Sequence, residues 1–343
     1  VNRETVGDFL TSVIGIVNAG SLEVEKVKAT PAAVPIDVFS DSSTLLASYK
    51  GRLSTVASAD RASSAYRIHA LTAPMLPGGI VPRWNDMRCS PQLYHRLLGE
   101  RSLRAAYPYR PDVWQFMDAK QNIGVQLVGG LSDLPPWDSG APLRQHLHWI
   151  LQSNGMRLTH ASTLGLRGLG VLFLGNAGAG KSGITLAGLS VGLATVGDDY
   201  VALSLGETVR ARTVFTIVKQ DRLGLSHIPE LAKKCSMLRE NWKGKVELDP
   251  GDLYPNAFTD ELEIRACILP TITGGNLPRI RECERGVAMR SLMKSNLHQF
   301  PGEVDDGMRF FGKLLRRLPV FSMDLSNDFD LNGKAVKMLI ERF

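Results

Sequence analysis

Residues 169–190 read LGVLFLGNAGAGKSGITLAGLS, an apolar run, a glycine-rich octet and then a stretch of small and apolar residues. The octet, Gly175 to Ser182, fits G-x-x-x-x-G-K-[ST] at every fixed position. Such an octet needs a buried strand before it and a helix after it. Only there do its backbone N–H groups turn inward together beside the positive end of a helix. The flanking sequence supplies both, so the chain is expected to build an α/β core. Gly175, Asn176, Ala177, Gly178, Ala179, Gly180, Lys181, Ser182 and Gly183 are the expected contacts to nucleotide phosphates. Lys181 provides a mobile cation for the β- and γ-phosphates, and the Ser182 hydroxyl suits Mg²⁺. ATP and Mg²⁺ are therefore the expected cofactors.

Asp198 and Asp199 follow Lys181 by only 17 and 18 residues, room for one helix and one strand. In most phosphate-loop NTPases the metal-binding acidic residue arrives much later. The segment TVGDDYVAL is expected where a second core strand ends. Two adjacent carboxylates there are costly unless they bind metal or move a proton. One suits Mg²⁺, and the other suits the proton of an attacking hydroxyl.

The 343 residues are long for one domain and comfortable for two. A hydrophobic content of 44% with 22% charged residues is that of a soluble globular chain. No run approaches a membrane span, and the start reads as an ordinary N-terminus rather than a signal peptide. Cys89, Cys235, Cys267 and Cys283 are far apart and form no CxxC pair, which suits a cytoplasmic location without zinc or disulfides. The net charge of +6 is spread along the chain without a basic-aromatic patch, against nucleic acid.

A boundary is expected at residues 131–142, LSDLPPWDSGAP. Before it, VPIDVF and NIGVQLVGG read as strands and PQLYHRLLGERSL as a helix. After it, APLRQHLHWILQSNG reads as a helix with Pro142 in its first turn, Gly155 at its end, and Leu143, Leu147, Ile150 and Leu151 on one face. His146 and His148 on that helix read as solvated or packed. MRLTHASTL, LGVLFLG, VALSL, TVFTIV, ELEIRACILPTI and PVFSMDL contain or form strands. RGVAMRSLMKS, DGMRFFGKLLRRL and GKAVKMLIERF read as helices.

With these residues in place, LTHASTLGLRGLGVLFLGNAGAGKSGITLAGLSVGLATVGDDYVAL resembles the HPr kinase/phosphorylase family, and more closely its divergent HPr-kinase-related kinases. The resemblance spans roughly residues 140–300. It implies an HPr kinase/PEP-carboxykinase-like P-loop core over residues 139–343, with a smaller mixed α+β N-terminal domain over 1–138 for structure or substrate recognition. It implies that Asp199 is the proton acceptor, Asp198 its acidic partner at the metal, Ser182 a Mg²⁺ ligand and His160 a further active-site residue beside Lys181. The chain departs from the family at Gly183, where HPr kinases carry Glu. It departs again at EIRACIL, where they carry a signature like EIRGLGI, here displaced by an insertion of about forty residues. Glu263 and Arg265 read equally as site residues and as a charge pair on a strand.

The implied function is an ATP-dependent kinase acting on a hydroxyl, foremost a serine of a peptide or small protein. A polyol- or sugar-type kinase and a non-catalytic nucleotide-binding regulatory subunit are the alternatives. The expected partners are nucleotide and a peptide or small protein with an acceptor serine, with room for a homo-oligomer, and neither nucleic acid nor membrane.

Overall fold

The computed structural model describes residues 3–20, 22–55, 65–72, 103–106, 113–300 and 304–343. The helix expected at PQLYHRLLGERSL lies outside them, except for Leu103, which opens a strand. The chain forms two compact units, 1–150 and 151–343, each mixed α/β. No helix among the described residues is long and apolar enough to cross a membrane.

The first unit runs α1 (Arg3–Asn18), β1 (Glu25–Ala29), β2 (Ile36–Ser40), α2 (Ser43–Tyr49), β3 (Tyr66–Thr72), β4 (Leu103–Ala106), β5 (Val113–Asp118) and β6 (Ile123–Val128). It ends in α3 (Arg144–Ser153), within which the division between units falls. The sheet order is β1-β2-β3-β6-β5-β4. β2, β3 and β6 are mutually parallel and the remaining pairs antiparallel. Val13, Ile14 and Val17 form one stripe of α1 and pack on Leu71, Trp114, Phe116, Val125 and Leu127 of the sheet. Pro142 was expected inside the first turn of α3, but the helix begins at Arg144. Leu143 stands before it at φ +55, so the residue after the proline turns the chain rather than continuing a helix. His146 and His148 are both fully buried, the packed outcome. The His146 Nε2 faces the Val125 and Phe116 carbonyls at 3.1 and 3.3 Å, and burial pulls its pKa down to about 4. Gly124 makes room for that ring, since a Cβ there would lie 2.7 Å from it.

A buried polar chain crosses this unit. Gln115 donates to Gln126 at 2.6 Å, Gln126 donates to the Tyr49 hydroxyl at 2.9 Å, and Tyr49 in turn bonds the Asp138 carboxyl. Burial raises Asp138 from 3.8 to about 7 against the pull of Tyr49, the Leu143 backbone and Arg144. Folded Asp138 thus keeps its proton to about pH 7, whereas the unfolded carboxyl loses it near pH 4. The folded chain binds more protons in that window, so stability falls as pH rises through it. Urea unfolding is expected to show wild type losing about 2–4 kcal/mol relative to Asp138→Asn between pH 4.5 and 8. Parallel pH profiles for the two proteins would contradict this.

The second unit begins β7 (Met156–His160), β8 (Ser162–Leu166), β9 (Leu169–Phe173), α4 (Lys181–Ser190), β10 (Tyr200–Leu205), β11 (Val209–Thr213) and β12 (Val218–Gln220). It continues α5 (Arg222–Ser226), α6 (Pro229–Lys234), β13 (Val246–Leu248), β14 (Glu261–Gly275), β15 (Arg279–Glu282), α7 (Arg285–Asn296), α8 (Val304–Arg317), β16 (Val320–Ser326) and α9 (Phe329–Ile340). Its main sheet is ordered β15-β16-β14-β11-β10-β7, with β9 on β14 and β8 on β9. β9, β14 and β16 run parallel, and β12–β13 form a separate antiparallel ribbon.

Helices cover both faces of this sheet. Leu262 and Ile264 of β14 face the cluster that includes α7 and α8, whereas Ala266 and Ile268 face α4 and α9. Strict alternation would put all four on one side. The register shift between Ile264 and Ala266 moves the second pair across, and one strand thereby serves both layers.

Three expected strands differ. MRLTHASTL is two strands, because the chain changes partner at Ala161: β7 pairs with β10 and β8 with β9. TVFTIV supplies only the end of β11 and the start of β12. Val214, Phe215 and Ile217 between them are buried by packing outside both strands. The aspartate pair precedes β10 instead of ending a strand. Between α4 and β10 the chain makes only isolated bridges, at Ala194 and Thr195.

Candidate active site

β9 hands the chain to the glycine loop through Leu174, whose N–H donates to the Ile268 carbonyl at 2.8 Å. Gly178 and Gly180 take φ of +83 and +98, and a Cβ on Gly180 would come 2.4 Å from Leu325 Cδ1. Any side chain is strained at that φ, and a Cβ would also push the Leu325 side chain aside. The Ile184 N–H bonds the Gly180 carbonyl at 2.9 Å and starts α4 directly. Asn176, Ala177 and Gly178 form the exposed crest, while Ala179, Ser182 and Gly183 are half-buried. α9 anchors α4 by close approach, since a Cβ on Gly333 would lie 2.1 Å from the Ala187 carbonyl oxygen.

Lys181 is buried, and its Nζ donates to the Gly175 carbonyl at 2.6 Å and the Asn176 carbonyl at 3.3 Å. Burial lowers its pKa; Asp199 and Asp198 push back up, and Lys245 and Lys243 add to the lowering. Both carboxylates therefore lie within electrostatic reach of the loop lysine.

The aspartate segment is sewn to the β7–β8 connection. The Ala161 N–H bonds the Asp199 carbonyl at 3.1 Å, and the Thr163 N–H bonds the Gly197 carbonyl at 3.0 Å. Gly197 is required by the tight approach, because a Cβ there would meet the Tyr200 oxygen at 2.6 Å. This stitching sets His160 beside Asp199, with Nε2 3.0 Å from Oδ1. The other ring nitrogen, Nδ1, faces the Ser295 carbonyl at 3.2 Å, and the His160 backbone N–H donates to Asn296 Oδ1 at 2.6 Å. A carbonyl and a carboxylate only accept, so both ring contacts are hydrogen bonds when both nitrogens carry protons.

Lys219 completes the group. Its Nζ lies 2.8 Å from Asp199 Oδ2, and its backbone N–H donates to Asp198 Oδ2 at 3.0 Å. The neighbouring aspartates are thereby driven apart. Burial pushes Asp199 upward, but Lys219 and His160 overcome it and hold the carboxyl well below its ordinary value. Burial raises Asp198 despite the Lys219 N–H and Lys245, and Asp199 adds to the rise. The Asp198 Oδ1 is buried without a hydrogen-bond partner among the described residues, although the Ser182 hydroxyl lowers that carboxyl's pKa.

The structure thus gathers His160, Lys181, Ser182, Asp198 and Asp199 around one loop. Glu263 and Arg265 pair with each other at 2.7 Å on β14. Lys219, Ser295 and Asn296 escaped sequence reasoning. The one available signal for Lys219 was a lone charge closing the apolar stretch FTIV. Replacing it by Met leaves Asp199 with only the His160 contact among the described residues. The expected cost in stability is about 2–4 kcal/mol, below the ~3–5 of a fully buried pair because the Asp199 side chain is 28% exposed. Urea unfolding of Lys219→Met measures this, and a change under about 0.5 kcal/mol would show that the pair adds no net stability.

No family model matches this sequence, and no curated protein matches it. Among solved structures, the HPr(Ser) kinase/phosphatase from Coxiella burnetii is similar at 15% identity and a TM-score of 0.30, over 54% of this chain and 90% of that one. Likeness at that score assigns no residue a role.

Proposed function

We propose that this chain is an ATP-dependent kinase that transfers the γ-phosphate to a hydroxyl, foremost a serine of a peptide or small protein. The carrying observation is Asp199, an ionised carboxylate fixed by Lys219 and His160 within electrostatic reach of the loop lysine. A bare nucleotide-binding loop has no need of such a group.

Glycine-loop amides and the start of α4 bind the phosphates, and Lys181 leaves its loop carbonyls to follow the β/γ-oxygens. The residues fit Mg²⁺: Ser182 and Asp198 would hold it, the buried Asp198 Oδ1 having no hydrogen-bond partner among the described residues. Bound there, the ion supplies positive charge to the phosphate oxygens. One Asp199 oxygen faces the Lys219 ammonium and the other the His160 ring, and each keeps a second lone-pair direction for the acceptor hydroxyl. A carboxylate of such low pKa is a weak base but a steady hydrogen-bond acceptor. That suffices for a loose transition state, in which the hydroxyl proton leaves late and positioning carries most of the rate.

The acceptor class is tested by incubating the protein with γ-labelled ATP and Mg²⁺ against serine-containing peptides and simple polyols. Label on serine is the expected result. Label on polyols alone would replace the acceptor class, and ATP bound but never consumed would make the chain a nucleotide-dependent regulatory subunit.

A further inference from the structure

The insertion between β12 and β13 has two faces. Leu225, Ile228, Leu231 and Cys235 point inward onto Val218, Val246 and Leu248 of the ribbon and Leu186 and Leu189 of α4. On the outside, Leu223, Met237, Leu238 and Trp242 are 78%, 91%, 43% and 55% exposed. Arg222 ties the two ends of this cap, pairing with Glu240 at 2.8 Å and donating to the Leu238 carbonyl at 2.8 Å. Lys243 sits 4.7 Å from the Trp242 ring centre. Exposed apolar side chains concentrated in one segment mark an interaction surface.

The charge of the segment selects the occupant. Residues 221–245 carry Arg222, Lys233, Lys234, Arg239, Lys243 and Lys245 against Asp221, Glu230 and Glu240. A second copy of the chain meeting this surface symmetrically would bring the same positive excess against itself. An acidic segment with interspersed apolar residues matches both the apolar anchors and the charge.

We infer that this cap docks an acidic, apolar-studded segment of the substrate peptide or protein, an inference that rests on the kinase reading above. Lys219 on β12 holds the acceptor-facing Asp199, and Leu223 follows it by four residues, a reach of at most ~14 Å in extended chain. A docked segment therefore needs only a few residues between its anchor and the reacting serine. The insertion that would dock the substrate continues directly from β12, the strand whose Lys219 holds Asp199.

The experiment uses fluorescence anisotropy of the full chain with a labelled synthetic peptide of Glu and Leu around one Ser. Its controls are a peptide with Lys for every Glu and a peptide with Ser for every Leu. The Glu/Leu peptide is expected to bind at least tenfold tighter than either control. Met237→Ser with Trp242→Ser, and separately Lys233→Glu with Lys234→Glu, are each expected to weaken it at least tenfold. ATP·Mg²⁺ affinity should remain as in wild type, which shows that the variants are folded. Equal binding of the Lys peptide, or no effect of either variant pair, overturns the inference. Self-association in sedimentation that the same variants abolish also overturns it, in favour of a contact between copies. Peptide docking without ATP binding would leave the surface standing and sink the kinase reading instead.

Discussion

Lys181→Ala is expected to abolish turnover of ATP, by at least 10³-fold, and to weaken ATP·Mg²⁺ binding by at least tenfold. The lysine is buried at the root of the loop, and its ammonium is held by two loop carbonyls within reach of both aspartates. When nucleotide enters, that ammonium is the mobile charge able to neutralise the β/γ-oxygens while the loop amides remain fixed. Alanine removes the charge and leaves the Gly175 and Asn176 carbonyls without it. The net loss of such bonds is about 1–2 kcal/mol of stability, too little to unfold the unit. Calorimetric titration and steady-state turnover separate the two effects. Unchanged turnover would remove the loop from the chemistry.

Asp199→Asn is expected to act in the opposite proportion. Its carboxylate bonds His160 and Lys219 rather than the loop, so ATP affinity should stay within about tenfold, ~1.4 kcal/mol. Transfer should fall by ~10²–10⁴, the loss typical when a group handling the acceptor proton is removed. The amide keeps the size but offers one accepting oxygen and an NH₂ that faces the donors of Lys219 or His160. Stability should also fall, because the half-buried Lys219 ammonium loses its counter-charge. Equal losses in binding and transfer would move Asp199 to the phosphate side and give the acceptor role to Asp198.

The glycine loop and the helix after it were legible in the sequence because each is a local pattern; the aspartate pair was legible as a pair, but not its place before β10. Gly175 to Ser182 carries its own geometry, and Gly180 at φ +98 shows why its residue type is fixed. Strand limits were less legible where burial and pairing part company. Val214, Phe215 and Ile217 are as apolar as strand residues but are buried outside any strand. At Ala161 the periodicity continues while the hydrogen-bonding partner changes, which no pattern along one chain reveals. The groups that tune the aspartates were the least visible. Lys219 reaches Asp199 from twenty residues downstream, and Ser295 meets His160 across 135 residues of chain. Their roles arise from the fold that joins distant segments, and no spacing rule encodes them.

The most direct test of phosphoryl transfer at this site is a phosphorus NMR time course of ATP·Mg²⁺ with the full chain and the Glu/Leu/Ser peptide, run beside Asp199→Asn. With wild type, the γ-phosphate resonance should decline as ADP grows, and a phosphoserine resonance should rise at the same rate. With Asp199→Asn, nucleotide resonances should broaden on binding but persist. An ATP spectrum that wild type leaves unchanged, in linewidth as well as intensity, would contradict the assignment of this loop and its aspartates to phosphoryl transfer.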